Sequence, residues 1–266
     1  MKITTTTIIA TTVILLAACK KSDYCDKPRH NKKCDLAQSI VSGFGDKEDK
    51  ASQYRKVYDP GTGKISKVVV GLFTLDLADS ISLLVRNDGS TVHLLLESNP
   101  TDTVLNAHFG ANGRLINITE GNAPNYQLPS TNFSYTSGTL SGVSGPYQLN
   151  VTYDAYGNVV KLEDPTLEAQ SFYYTYDVSV PAKRQFYPDG FFGDSYNTLF
   201  LAEFMGWLPD LEPVSKRISS RTVTGDYELY NAHLTDHVYD GEGKLLSYKS
   251  NAAITYTNIW DCNAKK

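Results

Sequence analysis

Two histidines four residues apart, in His233-Leu234-Thr235-Asp236-His237, form the most tempting chemical pair in the chain. On a helix that spacing sets both imidazoles on one face, within reach of one zinc ion. The flanking runs, Tyr227-Glu228-Leu229-Tyr230 and Val238-Tyr239, have the aromatic and aliphatic character of strands instead. In a strand, residues four apart lie about 13 Å apart at roughly 3.3 Å per residue, too far to share an ion with bonds of about 2 Å. The expectation is no metal and no cofactor, since no P-loop, dinucleotide fingerprint or Gly-x-Ser-x-Gly elbow occurs either. Carboxylates are abundant, but spacing singles out no pair as the acids of a glycosidase. The other concentration of chemistry is aromatic. Between Phe186 and Trp207 stand eight of the chain's 30 aromatic residues. Tyr187, Phe191, Phe192 and Tyr196 flank Pro188, Gly190 and Gly193, residues of a surface loop. These four rings are the candidate ligand-binding residues, able to stack on sugars or anchor a peptide. The alternative is that they cap the open end of the fold.

The N-terminus carries the most specific signal. An uncharged run from Ile3 to Ala18 follows Met1-Lys2 and ends in Leu16-Ala17-Ala18-Cys19. Its apolar part suits a signal peptide and is short for a membrane span of about 20 residues. The four residues resemble the lipobox of bacterial lipoproteins, which implies acylation of Cys19 and cleavage that makes it the new N-terminus. Lys20-Lys21-Ser22-Asp23 is similar to the tether start of Bacteroidetes lipoproteins, implying an outer-membrane location and export toward the cell surface. Three cysteines then remain, in a compartment that favours disulfides. Cys25–Cys34 is the expected pair because the two are close in sequence; Cys34–Cys262 is the alternative, favoured by the larger loop it closes.

The elements that would position these groups read as strands. Asp35–Phe44 alone has apolar residues at helical spacing, Leu36, Ile40, Val41 and Phe44, and predicts a short N-terminal helix. From about Tyr54 onward, short β runs alternate with turns. Asn87-Asp88-Gly89-Ser90 and Gly110-Ala111-Asn112-Gly113 join two hairpins, and a further strand is expected around Phe133–Tyr135. One turn pattern recurs: Tyr58-Asp59 through Gly63-Lys64, Phe109-Gly110 through Gly113-Arg114, Tyr153-Asp154 through Gly157-Asn158, and Tyr239-Asp240 through Gly243-Lys244. Asp can bond the turn amides while Gly takes a positive φ. The run Ser195–Leu208 has helix formers, a possible cap at its start and Pro209 as a stop, and its scarcity of polar side chains predicts burial on most sides.

These Tyr-Asp-x-x-Gly units resemble the YD repeats of bacterial surface proteins. With the lipobox and the Tyr/Thr-rich hairpins, the chain resembles a group of Bacteroidetes outer-membrane lipoproteins of unknown function described as having a porin-like fold. The resemblance implies an antiparallel meander rolled toward a barrel and carries no activity or site residue with it. The expected organisation is a signal peptide over 1–18, a lipidated tether and short helix over 19–50, and a β-meander over 51–262 rolled into a half-open barrel around a helix near 195–208. With 25 Lys and Arg against 29 Asp and Glu, the 266-residue chain lacks the basic excess that binding nucleic acid requires. The expected function is a monomeric, lipid-anchored, non-enzymatic module binding a glycan, peptide or protein; the alternative is a hydrolase of a cell-surface polysaccharide or peptide.

Overall fold

A computed structural model of the chain describes residues 34–42, 52–71, 80–124, 129–145, 148–165, 170–182, 185, 197–223, 233–251 and 254–262. The described residues form sixteen strands of a single antiparallel sheet. They are β1 (Asp35–Ser42), β2 (Ser52–Tyr58), β3 (Ile65–Gly71), β4 (Ser80–Asp88), β5 (Thr91–Leu96), β6 (Thr103–Phe109), β7 (Leu115–Glu120) and β8 (Thr131–Thr136). β9 (Thr139–Ser144), β10 (Gln148–Tyr153), β11 (Val159–Asp164), β12 (Gln170–Pro181), β13 (Ser215–Val223), β14 (Leu234–Tyr239), β15 (Leu245–Ser250) and β16 (Ile254–Asp261) complete it. Each strand pairs with its neighbours in sequence, with two exceptions. β1 pairs with β16, and β13 and β14 are the edges of the sheet.

Residues 35–42, expected in a helix, are therefore a strand. The helical reading of Leu36, Ile40 and Val41 rested on local spacing. A register shift between Leu36 and Gln38 breaks the two-residue alternation of β1 and leaves that helix-like spacing. β1 lies between β2 and β16, so its pairing with the far end of the chain overrides the local pattern.

The turns behave as their chemistry requires. Asp59 Oδ1 accepts from the amides of Gly61 (3.0 Å) and Thr62 (2.7 Å). Asp154 Oδ1 accepts from Tyr156 and Asn158, and Asp240 Oδ1 from Glu242 and Lys244, all at 2.9 Å. In the copy that lacks the aspartate, Asn112 Oδ1 takes the Arg114 amide at 3.1 Å. Gly63, Gly113, Gly157 and Gly243 all have positive φ, between 69° and 91°. The polar stretch around Phe133–Tyr135 holds two strands where one was expected, β8 and β9, joined by Ser137-Gly138 with both residues at positive φ.

One face of the sheet is apolar and filled. Register places Val68 beside Leu83 and Leu83 beside Leu96, then Leu94 beside Leu105 and Ala107 beside Ile118. Farther along, Phe133, Val143 and Leu149 form a row, as do Val151, Leu162 and Phe172. The opposite face is largely polar across the same strands: His93 bonds Asn106, and His108 lies between Thr91 and Thr119.

The β12–β13 connection carries the expected helix, α1 (Asn197–Phe204), with Leu199, Leu201, Ala202 and Phe204 buried. It stops before Pro209. The Gly206 and Trp207 amides reach back to Glu203 and Ala202, with Gly206 at φ 75°, a glycine-terminated helix end. A 3-10 turn, Pro209–Leu211, follows. This segment touches β2 through Phe204 and Tyr54, β6 through Trp207 and Phe109, and β9 through Asp210 and the Leu140 amide. In a flat sheet β2 and β9 would lie about 34 Å apart, whereas Phe204 and Asp210 are six residues apart in the chain and their Cα atoms can be separated by at most about 21 Å. The sheet therefore curls around the segment, which fills its concave side.

Candidate binding cleft

In a meander, the connections after even-numbered strands lie at one end. That end holds the four recurring turns, the β12–β13 connection with α1, the start of β1 and the end of β16. A cleft of about 60 Å³ opens here, lined by β1, β2 and β16 on one side and the α1 segment on the other.

Its polar floor is built on alternation. Tyr54, Lys56 and Tyr58 lie two residues apart on β2 and point to the same face. The Lys56 side chain is 1% exposed, with its ammonium 3.0 Å from Asp35 Oδ1 and 5.1 Å from the centre of the Phe204 ring. Asp35 Oδ2 accepts the Tyr58 hydroxyl at 3.0 Å. Burial first, and then the Asp35 carboxylate, push the Tyr58 hydroxyl far above its ordinary pKa, so it stays a donor. Across the cleft stand Glu203, Glu212 and Gln185. Gln185 donates through its backbone to Glu212 and through its side chain to the Pro213 and Ser215 carbonyls, and it accepts the Tyr239 hydroxyl at 3.1 Å. Trp260 contributes a ring whose indole nitrogen donates to the Leu245 carbonyl at 2.8 Å. The cleft thus joins aromatic surface to a buried cation and three carboxyl groups. It is suited to holding a small polar group, while Asp35 is committed to Lys56 and Tyr58.

Beside it, Cys34 is bonded to Cys262. This corrects the expected Cys25–Cys34 pairing. The β1–β16 register sets Asp35 opposite Asp261, which brings the flanking cysteines face to face. The Lys244 ammonium lies 3.4 Å from Cys34 Sγ and 3.3 Å from Cys262 Sγ, held by Asp240 and Glu242.

Cys19, Cys25, Tyr187, Phe191, Phe192 and Tyr196 lie outside the described residues. His233 is exposed just before β14, and His237 is on β14, stacked between Tyr239 and Tyr248. The sequence reading missed Asp35, Lys56, Glu203 and Trp260. Lys56 alone gave a signal, as a charge at an inward position between two tyrosines of a strand.

No protein-family model matches the chain, and no curated protein matches it. Among solved structures it is similar to a porin-like protein from Bacteroides uniformis, with a TM-score of 0.59 and 12% identity over 85% of this chain and 98% of the other. A porin-like protein from Bacteroides vulgatus matches with the same identity and coverage at a TM-score of 0.51. At such identity the likeness is one of fold.

Proposed function

We propose that the chain is a non-enzymatic binding module of the outer membrane, tethered by lipid on Cys19, and that its rolled sheet does not conduct. The observation carrying this reading is the filled interior. A membrane-spanning barrel turns apolar side chains outward to lipid and, as a pore, keeps a polar lumen. The described strands do the reverse, and α1 occupies the concave side. A protein built this way needs another hold on the membrane, and Leu16-Ala17-Ala18-Cys19 supplies one. The Bacteroides origin of the porin-like neighbours agrees with the tether resemblance. The turn-end cleft is the proposed seat of a sugar or peptide side chain, with Trp260 offering a ring face and Glu203 a polar contact.

The test combines three measurements. Labelled palmitate should enter the wild-type protein and not Cys19→Ala, and the purified protein should give no conductance steps in planar bilayers. A glycan and peptide array probed with the intact chain should give a saturable ligand. Stepwise conductance would overturn the reading. The gathering of Glu203 and Glu212 in one cleft favours hydrolysis as the second reading. Turnover of an array ligand, abolished by Glu203→Gln, would put that reading first.

A further inference from the structure

Among the described residues, eight large hydrophobic side chains are exposed, and six of them gather on one arc. Val178 and Val180 stand near the end of β12, Val214 directly precedes β13, Val238 is next to last in β14, Ile259 is near the end of β16, and Tyr156 sits in the β10–β11 turn. All six belong to the turn end of the sheet, on the strands that flank the seam between β13 and β14. The β12–β13 register breaks between Asp177 and Pro181, so Val178 and Val180 bulge out of the ladder. The Ala182 amide donates to the Val214 carbonyl at 3.0 Å, and the Val214 side chain approaches Gly157, the neighbour of Tyr156. Across the seam, Lys216 reaches the ring of Tyr239, beside Val238. The other two exposed side chains lie off the arc, Ile116 on β7 and Tyr173 toward the opposite end of β12. Single exposed apolar side chains are ordinary, whereas a gathered set marks contact with a partner or a membrane.

We infer that this arc rests on a lipid bilayer, with its valines and Ile259 in the boundary between headgroups and acyl chains. The choice of occupant rests on the lipid-anchor reading. The chain that leads from Cys19 joins the body at Cys34, and the bond to Cys262 fixes Cys34 at the same end of the sheet as the arc. Tyr156 and Tyr239 supply rings of the kind that favour a headgroup layer. Partial burial opposes ionisation of Asp154 and Asp240, but the turn donors outweigh it and keep both charged. Those charges stay at headgroup level, so the contact is shallow, and they oppose a strongly anionic surface. Zwitterionic lipid is therefore the better partner, and burial of apolar area rather than charge supplies the hold.

The test uses the mature chain, residues 19–266, with Cys19→Ser so that no acyl chain masks the contact. It should co-sediment with phosphatidylcholine vesicles at millimolar lipid, and half-molar salt, which screens charge, should leave that binding intact. Val178→Thr, Val180→Thr, Val214→Thr and Val238→Thr together keep the branched shape that suits strands while making the arc polar. They should weaken binding by at least about tenfold and leave the melting temperature within a few degrees of wild type. Two single variants keep the arc apolar and report where lipid touches. Tyr156→Trp should lose emission to lipids brominated on their acyl chains, and Tyr173→Trp should not. Failure to sediment, binding abolished by salt, an unaffected fourfold variant, equal quenching at the two positions, or an arc that instead holds two copies of the chain together in gel filtration would each overturn the inference. Palmitate labelling of Cys19 reports on the anchor separately: label without vesicle binding removes the arc alone, and vesicle binding without label removes the anchor alone.

Discussion

Asn158 shows how much one side chain of a turn can hold. It is fully buried, its amide group donates to Asp154 and to the Ser215 hydroxyl, and its carbonyl accepts from the backbone of Val214 and Ser215. It therefore fastens the β10–β11 turn to the start of β13. Asn158→Ala strands two backbone amides without their acceptor, and we expect a loss of about 3 kcal/mol in urea unfolding, against under 1 kcal/mol for the exposed Asn112→Ala. A loss below 1 kcal/mol at Asn158 would show that the contact to β13 is dispensable. His237 gives a pH dependence. Burial, with Lys216 and Arg217 nearby, lowers its pKa to about 4 from the usual 6.5. Between those values the unfolded chain binds a proton that the native state refuses, so this histidine makes stability fall as pH drops from about 6.5 toward 4. His237→Gln should flatten that part of the melting-temperature profile; an unchanged slope would assign it to other groups. The turn aspartates and glycines were legible in the sequence because each satisfies its donors within five residues. Lys56 showed only as a charge between two tyrosines, and its role was hidden because its partners Asp35 and Phe204 come from other elements.

At the scale of elements, α1 is the wedge on which the sheet closes. Phe204 packs against Tyr54 with ring centres 6.0 Å apart and carries the Lys56 ammonium on its face. Phe204→Ala should cost about 3–5 kcal/mol, the usual range for removing a buried ring, and should loosen the cleft floor with it. Retention of wild-type stability would mean that the sheet holds its curl without the helix. The presence of α1 was readable from its apolar composition, but its end was not. Pro209 looked like the stop, whereas Gly206 ends the helix three residues earlier through its left-handed conformation. β1 shows the opposite limit. Its strand identity comes from β2 and β16, and the latter lies more than 200 residues away. No window along the sequence contains that partner.

At the scale of the molecule, the sheet joins its first and last strands and leaves its seam elsewhere, between β13 and β14. There Lys216 lies 5.9 Å from the centre of the Tyr239 ring, with no strand ladder between the edges among the described residues. The Cys34–Cys262 bond spans 228 residues, and a closed loop of that length is worth about 5 kcal/mol on the chain-entropy account. Cys262→Ser should therefore lower the unfolding free energy by several kcal/mol, on the order of that figure. Cys25→Ser should leave it unchanged, and the reverse result would restore the local pairing. The same closure has a bearing on timing. β1 is the first strand of the meander and β16 the last, so the first strand keeps one bare hydrogen-bonding edge until the far end of the sheet arrives. Long-range pairing of this kind is slow, and an uncovered edge recruits other strands. A polypeptide cut short at Asn251 would be trapped in that condition permanently, with its first strand waiting for a partner that never arrives.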